Sequence, residues 1–314
     1  MSARPDILVT DPLDAGLMAK LEDAFAVHKL WLAADRDRFL AECAGSIRGI
    51  ATRSVVGADA ALMAALPRLE IIACFGAGYE AVDLPAARSR GIRVTNTPDV
   101  LTEDTADFAI GAIFALARRI VEGDRFIRAG RWGREALPSS VRVQGKRLGI
   151  VGLGRIGLGI ARRAEAFNMT IVWHGPRPKP AIPYRYVADI AELAGESDFL
   201  VLTCPGGPAT RHLVGRAVLD ALGPRGMLVN IARGSVVDEL ALLQALRDKT
   251  IAGAALDVFA DEPAVPEAFH ALDNVVLTPH IASTTVETRA AIGDLLFANL
   301  SAQFSGKALP SAVV

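Results

Sequence analysis

Three ionisable side chains stand directly behind apolar runs in the second half of the chain. Arg233, Glu262 and His280 each follow a segment that reads as a strand. Ligands of open α/β sheets bind beyond the carboxyl ends of the strands, so these side chains are predicted to share one edge. An imidazole donates a proton near neutral pH, a carboxylate stabilises its cationic form, and a guanidinium offers paired donors to a carboxylate. Each residue alone has an ordinary structural explanation, but together they predict proton transfer to a carbonyl compound that carries a carboxylate.

A glycine motif near the middle of the chain predicts a nucleotide site. Gly152, Gly154 and Gly157 follow the apolar run 148–151 and precede 158–168, which reads as a helix. A strand, this glycine spacing and a helix form the fingerprint of a dinucleotide-binding βαβ unit. The first glycine permits a tight turn, the second lets backbone approach a pyrophosphate, and the third lets the helix pack on the strand. The pyrophosphate would lie over the helix N-terminus, which favours negative charge. The predicted contacts are Gly152, Gly154, Arg155, Ile156 and Gly157.

The elements around these residues alternate between short strands and helices. This alternation predicts an α/β protein with doubly wound parallel sheets. The length of 314 residues and the central position of the glycine motif predict two such domains. The predicted strands are 7–9, 27–30, 48–51, 71–74 and 92–94 in the first domain and 148–151, 170–173, 199–203, 227–231, 253–256 and 275–277 in the second. The predicted helices of the first domain are 15–24, 36–44, 58–66 and 84–89.

Two further helices are predicted outside this alternation. Residues 102–119 read as one long helix that leads into the second domain, because its apolar residues recur three and four apart. Residues 286–303 follow the last strand and are predicted to pack on the first domain. The six strands that remain in the second half match the order of the classic dinucleotide-binding fold.

The composition is that of an ordinary globular protein, and it narrows the range of partners. The net charge of −1 gives no reason to expect nucleic acid or an anionic membrane as a partner. No apolar run approaches the roughly 18 residues that span a bilayer, and residues 1–6 lack the apolar core of a signal peptide. Cys43, Cys74 and Cys204 are too few and too widely spaced for a disulfide framework or a metal cluster. We therefore expect a cytoplasmic protein without a metal.

Six motifs, in sequence order, resemble those of one known family, and the resemblance covers nearly the whole chain. They are FGAGYEAVD at 75–83, NTPDVLTE at 96–103, GLGRIG at 152–157, NIARGSVVD at 230–238, LDVFADEP at 256–263 and TPHIAS at 278–283. In these motifs the chain is similar to the D-isomer-specific 2-hydroxyacid dehydrogenases. The resemblance implies a flavodoxin-like substrate-binding domain of residues 1–98 and 285–314, and a Rossmann dinucleotide-binding domain of residues 99–284. It also implies hydride transfer between a nicotinamide and a 2-keto or 2-hydroxy acid.

The same resemblance implies a role for each residue that matches a family motif. His280 would be the acid–base group and Glu262 its carboxylate partner. The substrate would be bound by Arg233 and by the backbone N–H groups of Ala77 and Gly78, with Arg53 nearby. Further contacts of the cofactor would be Thr102, Cys204, Thr210, the carbonyl of Ile231 and Asp257.

The segment behind the second strand of the Rossmann domain bears on the choice of nicotinamide. NAD-dependent proteins usually have an Asp or Glu there, which binds the ribose 2′-OH. Gly175 stands at this position, so that a 2′-phosphate would not be repelled. Arg177 would hold the 2′-phosphate, with help from His174 or Lys179. These residues favour NADPH over NADH; a solvated basic loop that accepts both cofactors is the alternative.

Within the family, the chain most resembles NADPH-dependent glyoxylate/hydroxypyruvate reductases. This implies reduction of small 2-keto acids to D-2-hydroxy acids, a direction that fits the reduced state of the NADP pool. A reductase of larger acids, of the phenylpyruvate or 2-ketogluconate type, stays open, and the loops around Arg53 and Phe75 would decide it. A nucleotide-sensing binding protein, resembling the corepressors of this superfamily, is the alternative outside the enzymes. The resemblance further implies a homodimer, in which Trp132 either lies buried at the interface or reaches the neighbouring site.

Overall fold

The computed structural model describes residues 4–314 and divides the chain into two compact units. The first unit consists of Met1–Leu101 and Thr285–Val314, and the second unit is Thr102–Thr284. Residues 1–3, which belong to the predicted first domain and to the segment without a signal-peptide core, lie outside the described residues. The assignment of substrate to one domain and of dinucleotide to the other stays a prediction.

The first unit contains a parallel sheet of five strands with helices between them. The strands are β1 Asp6–Val9, β2 Ala26–Lys29, β3 Ile47–Arg53, β4 Ile71–Phe75 and β5 Arg93–Thr95. The helices are α1 Ala15–Ala24, α2 Arg36–Cys43, α3 Ala60–Ala65 and α4 Leu84–Ser89. The spatial order of the strands is β2-β1-β3-β4-β5, which is the flavodoxin-like order. It confirms the fold class predicted for this part.

The second unit contains a parallel sheet of seven strands. They are β6 Arg147–Val151, β7 Thr170–His174, β8 Arg185–Tyr186, β9 Phe199–Leu202, β10 Met227–Asn230, β11 Gly253–Leu256 and β12 Val275–Leu277. Their spatial order, β12-β11-β10-β9-β6-β7-β8, is the Rossmann order with one added strand, and it confirms the predicted fold class. The prediction of six strands is wrong, because it omits β8, which follows β7 in the chain and lies at the edge of the sheet. β8 has only two residues, and no apolar run in the sequence indicates it.

The helices of the second unit begin and end differently from the prediction at two places. They are α5 Thr102–Ala117, α6 Ile120–Arg128, α7 Arg155–Glu165, α8 Ile190–Gly195, α9 Arg216–Leu222, α10 Glu239–Arg247 and α11 Glu267–His270. The single helix predicted over 102–119 is wrong, because Arg119 adopts a left-handed φ of 53° and separates α5 from α6. The helix behind the glycine motif begins at Arg155, directly after Gly154, and not at residue 158. The helix N-terminus is therefore part of the glycine motif itself.

The last helix, α12, spans Val286–Phe304 and belongs to the first unit. Its Arg289 Nε donates to the Asp14 carboxylate at 2.8 Å. Its Phe297 and Phe304 rings lie 5.9 and 5.7 Å from the ring of Phe25, which follows α1. Aromatic packing and this ion pair attach α12 to α1.

Three neighbouring strands of the second sheet are fully buried, which leaves their ends accessible to ligands. Every residue of β9, β10 and β11 is buried, as is typical of parallel strands covered by helices on both faces. Side chains that bind a ligand must then come from the loops that follow the strands. Within residues 4–314, no helix has the length and apolar character needed to cross a membrane.

Candidate active site

The glycine motif forms a turn in which two of the three glycines have no room for a side chain. Gly152 has a φ of +95°, and a Cβ on it would lie 2.7 Å from the backbone nitrogen of Cys204. A Cβ on Gly157 would lie 2.5 Å from the carbonyl oxygen of Gly152, so this glycine lets α7 approach the turn. Gly154 caps α7 and has open space where a Cβ would stand. An anionic group can therefore reach the N-terminus of α7, and the motif fits the pyrophosphate of a dinucleotide.

The other predicted cofactor residues stand at the starts and ends of elements in the second unit. Arg155 and Ile156 open α7, Thr102 opens α5, Ile231 follows β10, and Cys204 and Thr210 lie in the loop after β9. The Thr210 hydroxyl donates to the carbonyl of Pro205 at 2.7 Å, which stabilises this loop. Burial raises the pKa of the Cys204 thiol to about 11, so it stays protonated and serves as a packing surface against Gly152.

The loop after β7 carries the side chains predicted to select the nicotinamide. His174 Nδ1 lies 3.1 Å from the carbonyl oxygen of Val187, a contact that joins the end of β7 to the segment after β8. Lys179 Nζ donates to the carbonyl of Leu153 at 2.6 Å, within the glycine motif. Arg177 is exposed. The structure therefore brings Lys179 to the motif, gives His174 a contact within the fold, and leaves Arg177 at the surface.

Glu262 and His280 form a hydrogen-bonded pair. His280 Nδ1 lies 2.7 Å from Glu262 Oε2, and Glu262 Oε1 accepts from the N–H of Phe259 at 3.0 Å. Burial acts to raise the pKa of Glu262, but the hydrogen bond and charge of His280, the Phe259 N–H and the charge of Arg233 hold it below its ordinary value. The carboxylate is therefore ionised in the neutral range and favours the protonated imidazole. His280 has a left-handed φ of 55°, an uncommon conformation that clusters at functional sites.

Arg233 stands beside this pair in a turn that its neighbours hold. The Asn230 side chain accepts from the N–H of Ala232 at 3.0 Å and donates to the carbonyl of Arg233 at 3.1 Å. A Cβ on Gly206 would lie 2.9 Å from Arg233 Cγ, so the glycine makes room for the arginine stem. Gly234, the residue after Arg233, packs against the backbone of Phe259 and Ala260, and the charge of Arg233 contributes to the lowered pKa of Glu262. The structure thus brings the three candidate catalytic side chains together.

Asp257 is a buried carboxylate that the sequence analysis assigned to the cofactor alone. Its oxygens accept from the Thr278 hydroxyl at 2.6 Å and from the N–H groups of Ile281 and Ala282 at 2.8 Å. Its carbonyl accepts from the N–H of His280, also at 2.8 Å. Burial raises the pKa of Asp257, although these hydrogen bonds and the charge of His280 act in the opposite direction. Asp257 therefore holds the backbone segment that carries His280, a function that the sequence analysis missed. The position of Asp257 directly after β11 was the only feature of the sequence that could have indicated this function.

Apart from Arg233, the residues predicted to bind the substrate lie in the first unit. Ala77 and Gly78 follow β4, and the Asn96 amide donates to the carbonyl of Ala77 at 2.6 Å. Within residues 4–314, no hydrogen bond uses the N–H of Ala77 or Gly78, so both can serve an anion. Arg53 ends β3, with its Nε 3.6 Å from Asp11 Oδ2 and its side chain 54% exposed.

Comparison with known proteins defines the class to which this arrangement belongs. Residues 110–282 match the family described as D-isomer specific 2-hydroxyacid dehydrogenase, NAD binding domain. The chain therefore belongs to the D-isomer-specific 2-hydroxyacid dehydrogenases, a family of oxidoreductases. This confirms the family that the six sequence motifs resemble.

Individual relatives match along nearly the whole chain. It is 47% identical to a glyoxylate/hydroxypyruvate reductase of Arabidopsis thaliana, over 98% of each chain. It is 48% identical to the hydroxyphenylpyruvate reductase of Plectranthus scutellarioides, again over 98% of each chain. An NADPH-dependent glyoxylate/hydroxypyruvate reductase of Sinorhizobium meliloti, solved in complex with NADP and malonate, is 42% identical with a TM-score of 0.92, over 99% of this chain and 97% of that one. Fold and family are thus shared over both units.

Proposed function

We propose that the protein reduces small 2-keto acids, such as glyoxylate and hydroxypyruvate, to D-2-hydroxy acids with NADPH. The observation that carries this proposal is the Glu262–His280 pair beside Arg233, in the unit whose sheet also carries the dinucleotide motif. The proposal is supported by the two glyoxylate/hydroxypyruvate reductases to which the chain is similar.

In the proposed reaction His280 is the general acid. Because its Nδ1 is bonded to Glu262, the other ring nitrogen, Nε2, donates the proton to the carbonyl oxygen of the keto acid. The nicotinamide, when bound, supplies the hydride for the carbonyl carbon. Glu262 orients the imidazole and stabilises its cation until the proton leaves.

Arg233 supplies the positive charge that a 2-keto acid requires. Its planar guanidinium matches the carboxylate and the adjacent carbonyl oxygen with parallel donors. The N–H groups of Ala77 and Gly78 and the side chain of Arg53 are also proposed to bind the substrate. The groups proposed to hold the cofactor are the glycine motif with Arg155 and Ile156, and Thr102, Cys204, Thr210, Ile231 and Asp257.

Reduction of a larger 2-keto acid is the second candidate function. One relative, 48% identical to this chain, is named a hydroxyphenylpyruvate reductase. We prefer the small acids as substrates because the Arabidopsis relative and the Sinorhizobium structure are both named glyoxylate/hydroxypyruvate reductases. The catalytic residues and their roles are the same for both substrate classes.

The preference for NADPH over NADH is proposed on the loop after β7. Gly175 offers no carboxylate to a ribose 2′-OH, and a Cβ there would lie 3.2 Å from the buried Trp173 ring, so an acidic side chain would press on the ring. Arg177 and Lys179 in the same loop offer positive charge to a 2′-phosphate. The NADP complex of the Sinorhizobium relative supports the same choice.

Replacement of Arg177 by alanine is expected to raise KM for NADPH by about 10-fold or more, because a hydrogen bond to a charged group contributes roughly 1.5–3 kcal/mol. KM for NADH should stay nearly unchanged, since NADH has no 2′-phosphate. Steady-state kinetics with both cofactors measure the difference, and the exposed Arg142→Ala serves as the matched control. Equal effects of Arg177→Ala on both cofactors would exclude the 2′-phosphate contact.

The direct test of the proposed function is the initial rate of NADPH and NADH oxidation with glyoxylate, hydroxypyruvate and phenylpyruvate. Turnover with NADPH and the two small acids supports the proposal in full. Turnover with phenylpyruvate alone keeps the mechanism and moves the substrate to the larger acids. Binding of NADPH without any turnover would favour a nucleotide-sensing protein instead.

A homodimer and a cytoplasmic location complete the proposal. Ile120 and Ile127, seven residues apart on α6, and Trp132 expose 56%, 52% and 78% of their surface, and contiguous exposed apolar patches are typical of protein interfaces. The cysteines Cys43, Cys74 and Cys204 are free thiols, which is typical of a reducing compartment.

A further inference from the structure

The carboxylate of Glu262 stands on a short turn between β11 and α11. Residues 258–264 form this turn, and 260, 261, 263 and 264 are exposed. Two hydrogen bonds close the turn on itself: the Phe259 N–H donates to Glu262 Oε1 at 3.0 Å, and the Ala264 N–H donates to the carbonyl of Asp261 at 2.9 Å. These bonds shape the turn, but they do not fix it to the rest of the unit.

Glu239, the first residue of α10, reaches this turn from outside. Its Oε1 accepts a hydrogen bond from the N–H of Ala260 at 2.8 Å. The preceding N–H, that of Phe259, donates to Glu262. Two consecutive N–H groups are thus bonded to two glutamates, one of which pairs with His280 and one of which belongs to a helix.

The backbone before α10 also touches the turn. A Cβ on Gly234 would lie 1.9 Å from the carbonyl carbon of Phe259 and 2.3 Å from the nitrogen of Ala260. The segment that contains Gly234 is itself held, because the His212 N–H donates to the carbonyl of Ser235 at 2.8 Å. Glu239 therefore extends from an anchored base, and the turn lies directly against that base.

An acidic residue in the first turn of a helix also interacts with the helix dipole. Glu267 holds the same place in α11 and is exposed, as that effect allows. Glu239 is half-buried instead, and burial raises its pKa, with Asp261 acting in the same direction and the Ala260 N–H and His212 acting against it. An interaction with the helix dipole does not require Glu239 to be partly buried, whereas its hydrogen bond to the Ala260 N–H does.

We propose that Glu239 is a positioning residue, which holds the turn of residues 258–264 so that Glu262 stays bonded to His280. The inference rests on the proposed function, in which that pair delivers the proton. Without the Glu239 carboxylate, the Ala260 N–H loses its partner and the turn shifts. The imidazolium then loses part of its stabilisation, and a misplacement of about 1 Å lowers a rate by up to about 10²-fold.

The test compares Glu239→Ala and Glu239→Gln with Glu262→Gln as a reference and Glu267→Gln as a matched control. Two properties are measured: the NMR titration of the His280 imidazole in the ligand-free enzyme, and the pH profile of kcat/KM for keto-acid reduction. The chain has five histidines, so His280→Gln assigns the resonance. Loss of a carboxylate partner destabilises the imidazolium, and the titration midpoint and the alkaline limb should both move to lower pH.

Glu262→Gln is expected to move both to lower pH. Glu239→Ala should move both in the same direction by a smaller amount and lower kcat on the order of 10-fold, with KM little changed. Glu239→Gln should stay near the wild type, because its amide oxygen still accepts from the Ala260 N–H. Glu267→Gln should change neither property.

The outcomes separate this inference from the proposed function. A shift in Glu262→Gln without one in Glu239→Ala overturns the positioning role and leaves the catalytic pair intact. An unchanged profile in Glu262→Gln overturns the role of the Glu262–His280 pair, and this inference with it, whereas absence of keto-acid reduction by the unmodified enzyme overturns the proposed function. A shift in Glu239→Gln as large as in Glu239→Ala would be an effect of charge and would overturn the positioning role. Should Glu239→Ala not fold, as judged by circular dichroism, Glu239→Asp replaces it, because its carboxylate is one methylene too short for Ala260.

Discussion

Replacement of His280 by glutamine is expected to lower kcat for keto-acid reduction by about 10²-fold or more, the usual range for lost general acid catalysis being about 10²–10⁴. Glutamine keeps a polar side chain of similar size, but it has no proton to donate near neutral pH. In the wild type, Nδ1 of His280 is bonded to Glu262, so Nε2 is the ring nitrogen that donates the proton to the substrate. The alkaline limb of the wild-type pH profile should also disappear in the variant, because that limb reports the loss of the donor proton.

The measurement is the steady-state rate with glyoxylate at saturating NADPH, recorded between about pH 5 and 9, where histidine titrates. NADPH affinity, followed by cofactor fluorescence, should stay unchanged and shows that the variant is folded. His270→Gln is the matched control, since His270 is exposed at the end of α11 in the same unit. Turnover of His280→Gln within about threefold of the wild type would contradict the role of His280 as the acid.

The parts of the fold that can be predicted from the sequence are those in which a pattern of neighbouring residues indicates the element. The glycine motif is a strand, a turn and a helix in direct succession, and its residues appear where they are expected. β8 has no such pattern, because two residues at a sheet edge need neither apolar alternation nor length. The break between α5 and α6 is also invisible, since it depends on the backbone angle of Arg119 alone.

The candidate site divides in the same way. Arg233, Glu262 and His280 are found from the sequence because each follows a strand whose apolar run is plain. The groups that hold them are not found, because they join residues distant in sequence. The Asp257 carboxylate accepts hydrogen bonds from the N–H groups of Ile281 and Ala282, which lie 24 and 25 residues later in the chain. The Glu239 carboxylate accepts one from the N–H of Ala260, 21 residues later. Such partners depend on β10, β11 and β12 being neighbours, and this follows only from the assembled sheet.

Truncation of Arg233 to alanine is the second change with a large expected effect. Removal of one partner from a desolvated charge pair costs roughly 2–5 kcal/mol, and each 1.4 kcal/mol is about tenfold. We therefore expect kcat/KM for the 2-keto acid to fall by about 30-fold to about 4,000-fold, with NADPH affinity unchanged. Arg233→Lys should recover only part of this loss, because lysine keeps the charge but not the planar fork.

Two measurements give this prediction a sharp control. Arg225→Ala removes an exposed arginine from the opposite end of β10 and should leave both keto-acid use and NADPH affinity as they are. Inhibition by malonate, a dianion without a reducible carbonyl, should weaken in Arg233→Ala in parallel with keto-acid use. If NADPH affinity fell as far as kcat/KM, Arg233 would belong to the cofactor site and not to the substrate.

The division of the Arg233 effect between kcat and KM carries the remaining mechanistic information. A guanidinium that only binds the carboxylate contributes equally before and during the reaction, so its loss raises KM and leaves kcat unchanged. A guanidinium that also contacts the carbonyl oxygen stabilises the charge that develops there, so its loss lowers kcat as well. Because the charge of Arg233 acts on Glu262, the partner of the proposed proton donor, we expect both effects in Arg233→Ala. A change in KM alone would restrict Arg233 to anchoring the carboxylate.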